Sequence, residues 1–215
     1  MAGIIMHGGR LDDLLAELRQ RQPDHVVRVC HVVHLPPREG KGDRFLVNVL
    51  NGSYVLDLSS GMVTDAVTHK PPSSKLSQLI IKYLARYRGE KPGDWVPLEK
   101  FPNGQAYAGE MMRRAYRPLI DHFGQDPQGF DASCKTIDGK KEKLGGLSYS
   151  FNIFPMMRLL LQLWSGYDRT YRPPTANMMF SSSYLSIFTA EEAVDSAEYL
   201  VLELIKVRKK GLKAV

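Results

Sequence analysis

The chain is poor in cysteine. Its 215 residues include only two, Cys30 and Cys134, which are more than a hundred positions apart. Two cysteines cannot supply a disulfide framework, a CxxC redox pair or the four thiolates of an iron–sulfur cluster. We therefore expect both thiols to be reduced and buried, and we expect no iron–sulfur cluster on this chain.

Long apolar runs are also missing. The longest apolar stretch, at 154–164, is interrupted by Pro155, Arg158 and Gln162. It falls short of the roughly 18 continuous apolar residues that a membrane span requires. The first ten residues lack a basic segment followed by a long apolar one, which is the pattern of a secretory signal. These absences predict a cytoplasmic protein that does not contact a membrane.

Acidic residues are absent from the end of the chain, and this accounts for most of the net charge of +6. Residues 206–215 hold five bases and no acid, whereas residues 1–70 hold eight of each sign. Bases at the end of a predicted helix with an acidic start interact favourably with the helix dipole. They are not interleaved with aromatic residues, as they are in many nucleic-acid grooves. We therefore do not expect a nucleic-acid partner.

Common catalytic and nucleotide-binding motifs are absent as well. The sequence contains no GxGxxG after a predicted strand and no GxxxxGK[ST]. It also contains no GxSxG and no HExxH. A nucleotide-binding fold and the usual hydrolases are therefore not indicated.

Apolar spacing predicts both helices and strands along the chain. Leu11, Leu14, Leu15 and Leu18 follow helical spacing, and Thr189 with Glu192 forms a capping box before a long helix that Gly211 should end. Asn51-Gly52 predicts the turn of a β-hairpin. Further helices are predicted at 76–87, at 106–123 with a kink at Pro118, and at 127–136. The long capped helix is predicted over 190–210. Strands are predicted at 26–35, 45–50, 54–58, 147–154, 157–164 and 175–180, with an extended segment at 95–101 and a loop at 138–146.

The predicted strands come in local groups rather than alternating with helices. This order favours an α+β fold, with antiparallel sheets, helices packed on one face and a long C-terminal helix. We expect a single domain over residues 1–215. Within it, residues 1–70 form an N-terminal helix and β-hairpin region, and residues 71–215 carry the remaining helices, a second hairpin and the C-terminal helix.

Several local strings resemble an uncharacterised prokaryotic family. They are Trp95-Val96-Pro97-Leu98, Phe101-Pro102-Asn103-Gly104, Leu163-Trp164-Ser165-Gly166 and Tyr184-Leu185 followed by Glu191-Glu192. Together they are similar to the domain-of-unknown-function family 3786 of anaerobic bacteria and archaea, and the resemblance covers about residues 75–207 best. Members are sometimes joined to an iron–sulfur domain that also occurs in corrinoid proteins. The resemblance therefore implies a role in anaerobic cofactor or redox metabolism.

The chain departs from the family pattern after the second tryptophan. The family has an acidic run at this point, whereas this chain has Asp168-Arg169-Thr170-Tyr171-Arg172-Pro173. A Phe-Asp pair of the family is replaced by Phe180-Ser181. An acidic catalytic set, if the family has one, is therefore largely lost here.

The same segment gives the candidate ligand site. Loops at strand ends often carry binding groups, and this one combines aromatic side chains for stacking with guanidinium groups that suit carboxylates or phosphates. The predicted site residues are Trp164, Asp168, Arg169, Tyr171, Arg172 and Tyr184, with Arg158 added if its strand face points the same way.

One spacing is weakly typical of a metal site. Cys30, His31 and His34 are close in sequence, but on the predicted strand Cys30 and His34 would share one face while His31 pointed to the other. A zinc site would also need further ligands. We therefore favour the interpretation without a metal.

These observations leave three functional hypotheses. The first is a non-enzymatic ligand- or cofactor-binding accessory module that takes a small anionic ligand or a tetrapyrrole-type cofactor. The second is an enzyme acting on a small anionic substrate with Asp168 as acid–base, although two neighbouring arginines would hold that carboxylate ionised. The third is a protein-interaction domain for an iron–sulfur or corrinoid partner. We favour the first.

Overall fold

A computed structural model of the protein describes residues 11–38, 42–166 and 172–213. The helices are α1 (Leu11–Gln20), α2 (Pro23–Cys30), α3 (Ser74–Arg86), α4 (Ala108–Met111), α5 (Arg117–Phe123), α6 (Pro127–Thr136), α7 (Tyr184–Ile187) and α8 (Ala190–Lys213). The strands are β1 (Val33–Leu35), β2 (Arg44–Val49), β3 (Gly52–Asp57), β4 (Val63–Asp65), β5 (Trp95–Val96), β6 (Lys140–Glu142), β7 (Leu147–Phe154), β8 (Met157–Trp164) and β9 (Thr175–Ser181).

The strands form two antiparallel sheets. The first has four strands in the order β1-β2-β3-β4, and the second has five in the order β5-β9-β8-β7-β6. Leu159, Leu161 and Leu163, which share one face of β8, belong to the hydrophobic core. Helices α5 and α6 pack against β9 and β7. The predicted α+β class, with antiparallel sheets and a long C-terminal helix, is therefore confirmed.

The long C-terminal helix begins as predicted and ends later. The backbone N–H of Thr189 donates to the Glu192 carboxylate at 2.8 Å, and the N–H of Glu192 donates to the Thr189 hydroxyl at 3.3 Å. This reciprocal pair is the predicted capping box. The stop at Gly211 is wrong, because that residue does not adopt the left-handed φ that ends a helix and α8 continues to Lys213.

The predicted strand at 26–35 is mostly wrong. The chain forms helix α2 over Pro23–Cys30, and only Val33–Leu35 is a strand. Val26 and Cys30 are one helical turn apart and both are fully buried. Burial of this helical face outweighs the β propensity of the valines.

The first hairpin is confirmed, but its turn lies one residue earlier than predicted. Val49 pairs with Gly52, so Leu50 and Asn51 form the turn, and Leu50 takes a φ of 50°. The N–H of Leu50 donates to the Ile153 carbonyl at 3.1 Å. This bond to the second sheet accompanies a backbone conformation that is rare for leucine.

Three short elements also differ from the predictions. The extended segment at 95–101 contains only Trp95–Val96 as strand, followed by a 3-10 turn over Leu98–Lys100. The predicted loop at 138–146 contains β6, an edge strand that pairs with β7. The predicted helix at 106–123 is broken by a π-helical turn over Met112–Tyr116, immediately before the turn that contains Pro118.

Within the described residues, no helix is both long and apolar enough to cross a membrane.

Candidate functional site

A cleft of about 780 Å³ lies at one end of the five-stranded sheet. It forms where β7 begins, β8 ends and β9 begins, because the register sets Leu147 opposite Leu163 and Trp164 opposite Thr175. Its volume is within the range that small-molecule sites usually have. The residues that line it are Gly146, Leu147, Leu163, Trp164, Ser165, Arg172, Pro173 and Thr175.

Trp164 supplies the largest aromatic surface of the cleft. It is the last residue of β8, and 39% of its surface is exposed, which is unusual for so large an apolar side chain. The indole lies against Gly146, where a Cβ would come within 3.0 Å of the indole nitrogen and 2.7 Å of the Leu163 carbonyl. Gly146 also has a φ of +58°. A side chain there would therefore be strained and would displace the indole.

Both ends of the connection between β8 and β9 lie against the end of helix α5 and the residues that follow it. The N–H of Gly166 donates to the Gly124 carbonyl at 3.2 Å. A Cβ on Gly124 would meet the Pro174 ring at 2.7 Å, and a Cβ on Gly166 would meet Gln125 at 2.7 Å. These close approaches fix both ends of the connection between β8 and β9.

Arg172 provides the charge of the cleft. Its side chain is exposed, and no acidic residue in the described part of the chain pairs with it. A guanidinium is always ionised at physiological pH and presents five donors in a planar fork. The cleft therefore combines an aromatic surface with a positive charge that no described acidic residue pairs with.

Only part of the predicted site can be placed. Trp164 and Arg172 line the same cleft. Asp168, Arg169 and Tyr171 lie outside the described residues.

Arg158 and Tyr184 do not join the cleft. Leu159, next to Arg158, pairs with Phe180 near the end of β9, whereas Trp164 pairs with Thr175 at its start. Six residues of strand separate Arg158 from Trp164, which corresponds to roughly 20 Å. The Arg158 guanidinium lies 5.0 Å from the centre of the Trp95 ring instead.

Tyr184 is fully buried beyond the end of β9. Burial raises the pKa of its phenol, so the hydroxyl stays protonated over the physiological range. The fold does not bring the four residues together. β8 and β9 place Arg158 and Tyr184 toward one end of the sheet, and Trp164 and Arg172 at the other.

The three candidate metal ligands, Cys30, His31 and His34, each have a different position and different contacts in the fold. Cys30 ends α2 and is fully buried, which raises the pKa of its thiol to about 11. His31 caps the helix with a φ of 53°, and His34 Nε2 lies 2.7 Å from an Asp43 carboxylate oxygen. Among the described residues, no group of three or more His, Cys, Asp or Glu side chains is arranged to hold a metal ion.

Sequence reasoning missed five of the residues that line the cleft. Gly146 and Leu147 line the cleft, together with Ser165, Pro173 and Thr175. The available signal was Gly145-Gly146 directly before a strand whose partner ends in an aromatic residue. A glycine beside a strand end often marks a close approach by another group.

Comparison with known proteins identifies a family but no activity. The family model described as Domain of unknown function (DUF3786) matches residues 37–203. No curated protein and no solved structure matches the chain.

Proposed function

The chain belongs to this family of domains of unknown function, and from that premise we propose that it is a ligand-binding module. Its ligand is a small molecule with a flat apolar body and one anionic group, held in the Trp164–Arg172 cleft. The observation that carries the proposal is an exposed indole and an exposed guanidinium, the latter without an ion-pair partner among the described residues, on one ligand-sized cleft.

The apolar part of the ligand is inferred from the wall of the cleft. Apolar atoms make up most of its surface, and Leu147, Leu163 and Pro173 contribute to it together with the indole of Trp164. An exposed indole presents a flat face on which a planar ring system can stack. Burial of such a ligand removes apolar surface from water, which supplies most of the binding free energy.

The anionic part is inferred from Arg172. A guanidinium with no carboxylate partner favours a ligand that brings its own negative charge, and a carboxylate or phosphate matches its planar fork. The family resemblance favours a tetrapyrrole-type or phosphate-bearing cofactor within this class. The enzymatic alternative depends on Asp168, which lies outside the described residues. The protein-interaction alternative stays a prediction that rests on the resemblance.

Titration with planar anionic cofactors tests the proposal. Haemin, a corrinoid and flavin mononucleotide are added separately, and binding is followed by absorbance and calorimetry. We expect at least one of them to bind saturably. Arg172→Gln should weaken that binding about tenfold, because one charge-assisted pair is lost. Trp164→Leu should weaken it through the loss of stacking.

Arg158→Gln is the matched control, since it removes an arginine from the opposite end of the same sheet. We expect its affinity to equal that of the wild type once circular dichroism shows that it is folded. The proposal is overturned if none of the three probes binds, or if Arg172→Gln binds as tightly as the wild type.

A further inference from the structure

A second depression, of about 380 Å³, lies where α1 ends, α2 begins and α3 ends. None of its lining residues lines the Trp164–Arg172 cleft. Four of its six side chains are arginine or histidine. The lining residues are Glu17, Arg21, Gln22, His25, Arg28 and Arg88, and we call this set the α2 pocket.

Two of the arginines are held in place by the end of α3. One terminal nitrogen of Arg21 donates to the Leu84 carbonyl at 2.7 Å. One terminal nitrogen of Arg88 donates to the Ala85 carbonyl, and the other lies 2.5 Å from the Glu17 carboxylate. These bonds satisfy carbonyls at the C-terminus of a helix, and they also fix both guanidinium groups in position beside each other.

Positive charge in the α2 pocket exceeds what its own residues neutralise. Among the described residues that line the pocket, Glu17 is the one carboxylate, against three guanidinium groups. Desolvation and the charge of Arg88 lower the pKa of Arg21, and Nη2 of Arg21 is buried without a hydrogen-bond partner. Arg28 is exposed and forms no ion pair with any residue that the structure describes.

The first turn of α2 adds to this field. The helix has eight residues and starts at Pro23, and its N-cap residue Gln22 makes no side-chain capping bond. A helix N-terminus carries a partial positive charge that favours an anion, and here that charge is the main contribution, because Pro23 has no N–H and the His25 N–H donates to the Gln22 carbonyl at 3.0 Å. Asp24 in the same turn offsets part of the charge, but it is exposed and does not line the pocket.

We propose that the α2 pocket is a second ligand site, separate from the Trp164–Arg172 cleft, which binds the phosphate group of a small phosphate-bearing molecule. Arg28 and Arg88 contact the phosphate oxygens, and Arg21 contributes its charge from the base of the pocket. A phosphate suits this arrangement because it carries nearly two negative charges and several acceptor oxygens. The lining residues have an excess of cationic hydrogen-bond donors that can bind those oxygens.

The experiment is a titration followed by ¹⁵N–¹H NMR on the whole chain. Inorganic phosphate and a simple alkyl phosphomonoester are titrated separately, with sodium chloride at matched ionic strength as the reference. We expect saturable shifts of the amides of Gln22, Asp24 and His25 with at least one of the two phosphates and not with chloride. The tighter of the two identifies the source of the phosphate group.

Two variants test the assignment. Arg28→Gln should weaken phosphate binding about tenfold, since the residue has no structural bond to lose. Arg88→Gln should weaken it at least as much. Lys91→Gln, which removes an exposed charge outside the pocket, should bind like the wild type. If neither phosphate shifts these amides saturably, or if Arg28→Gln binds as tightly as Lys91→Gln, the α2 pocket is not a phosphate site.

Discussion

Glu192 is a buried carboxylate at the start of α8 that bonds to three different groups. One oxygen lies 2.6 Å from the Lys82 ammonium, and the other lies 3.2 Å from the Arg86 guanidinium. The second oxygen also accepts the N–H of Thr189 at 2.8 Å. Because Lys82 and Arg86 belong to α3, this single side chain joins two helices and caps one of them.

Replacing Glu192 with glutamine should be strongly destabilising. The change removes the negative charge that the largely buried Lys82 and Arg86 side chains both contact, and breaking a buried ion pair typically costs about 3 kcal/mol or more. We expect the free energy of unfolding in urea to fall by about 3 kcal/mol. Glu191→Gln is the control, because Glu191 is an exposed acid in the same turn, and it should change stability by less than about 0.5 kcal/mol. Equal losses in the two variants would contradict this account.

Cys30 should make stability decrease at alkaline pH. Burial raises the pKa of its thiol to about 11, whereas a cysteine in an unfolded chain has a pKa of about 8.5. Above the unfolded pKa the unfolded chain releases a proton that the folded chain keeps, so the free energy of unfolding falls as pH rises. Each pKa unit corresponds to about 1.4 kcal/mol, so a pKa raised from about 8.5 to about 11 lowers the free energy of unfolding by about 3 kcal/mol between about pH 8 and pH 11.

Urea denaturation across this pH range checks the prediction. Cys30→Ala should be less stable than the wild type at neutral pH, because it loses buried contacts, but its stability should fall less steeply as pH rises. Parallel pH profiles for the two proteins would show that the buried thiol does not contribute to the alkaline loss.

At the level of secondary structure, long periodic segments were predictable and short ones were not. The predicted strands 147–154 and 157–164 coincide with β7 and β8, where apolar residues alternate over eight positions. Helix α2 was predicted as a strand because its valines favour one, although Pro23 and Asp24 in its first turn are typical of a helix start. β6 could not be predicted, because its three polar residues form a strand only by pairing with β7.

The sequence predicts only part of the candidate site. The sequence indicates that Trp164 and Arg172 follow a strand and precede another, and the fold places both on one cleft. It does not indicate how far apart two residues lie across a sheet. Arg158 joins the predicted site only if its strand face points the same way, and Tyr184 joins it from the segment that follows the last predicted strand. The length of β8 and β9 separates both from Trp164 and Arg172.

The capping box gives a prediction for α8. Thr189→Ala removes the hydroxyl that accepts the N–H of Glu192, and loss of an N-cap side chain costs about 1 kcal/mol. We expect a loss of this size in urea denaturation. Thr189→Ser keeps the hydroxyl and should retain most of the stability, so a serine variant as unstable as the alanine variant would show that the methyl group, and not the cap, is responsible.

At the scale of the whole molecule, specific bonds join the first sheet to the second sheet and to α8, and join α3 to α8. The N–H of Leu50 in the first sheet donates to Ile153 in the second, and the hydroxyls of Tyr54 and Tyr199 are 3.1 Å apart. Lys75 at the start of α3 lies 2.8 Å from a Glu198 carboxylate oxygen on α8. These contacts favour the expectation of a single domain.

Hydrogen exchange tests that expectation. We expect the slowest amides of β2 and β3 to exchange with the same free energy of opening as those of β7 and β8, because both sheets should then open only on global unfolding. The measurement is native-state exchange at several low concentrations of denaturant. A lower free energy confined to β2 and β3 would instead identify residues 11–70 as a separately unfolding unit.

The positions of the two tryptophans have a consequence for observing the protein at work. Trp164 is partly exposed in the cleft, whereas Trp95 lies under the Arg158 guanidinium near the opposite end of the sheet. The two indoles should therefore differ in emission wavelength and in access to a soluble quencher such as acrylamide. A ligand that enters the cleft would change the Trp164 signal and leave that of Trp95 as an internal reference, so the intrinsic fluorescence of the unlabelled protein reports where binding occurs.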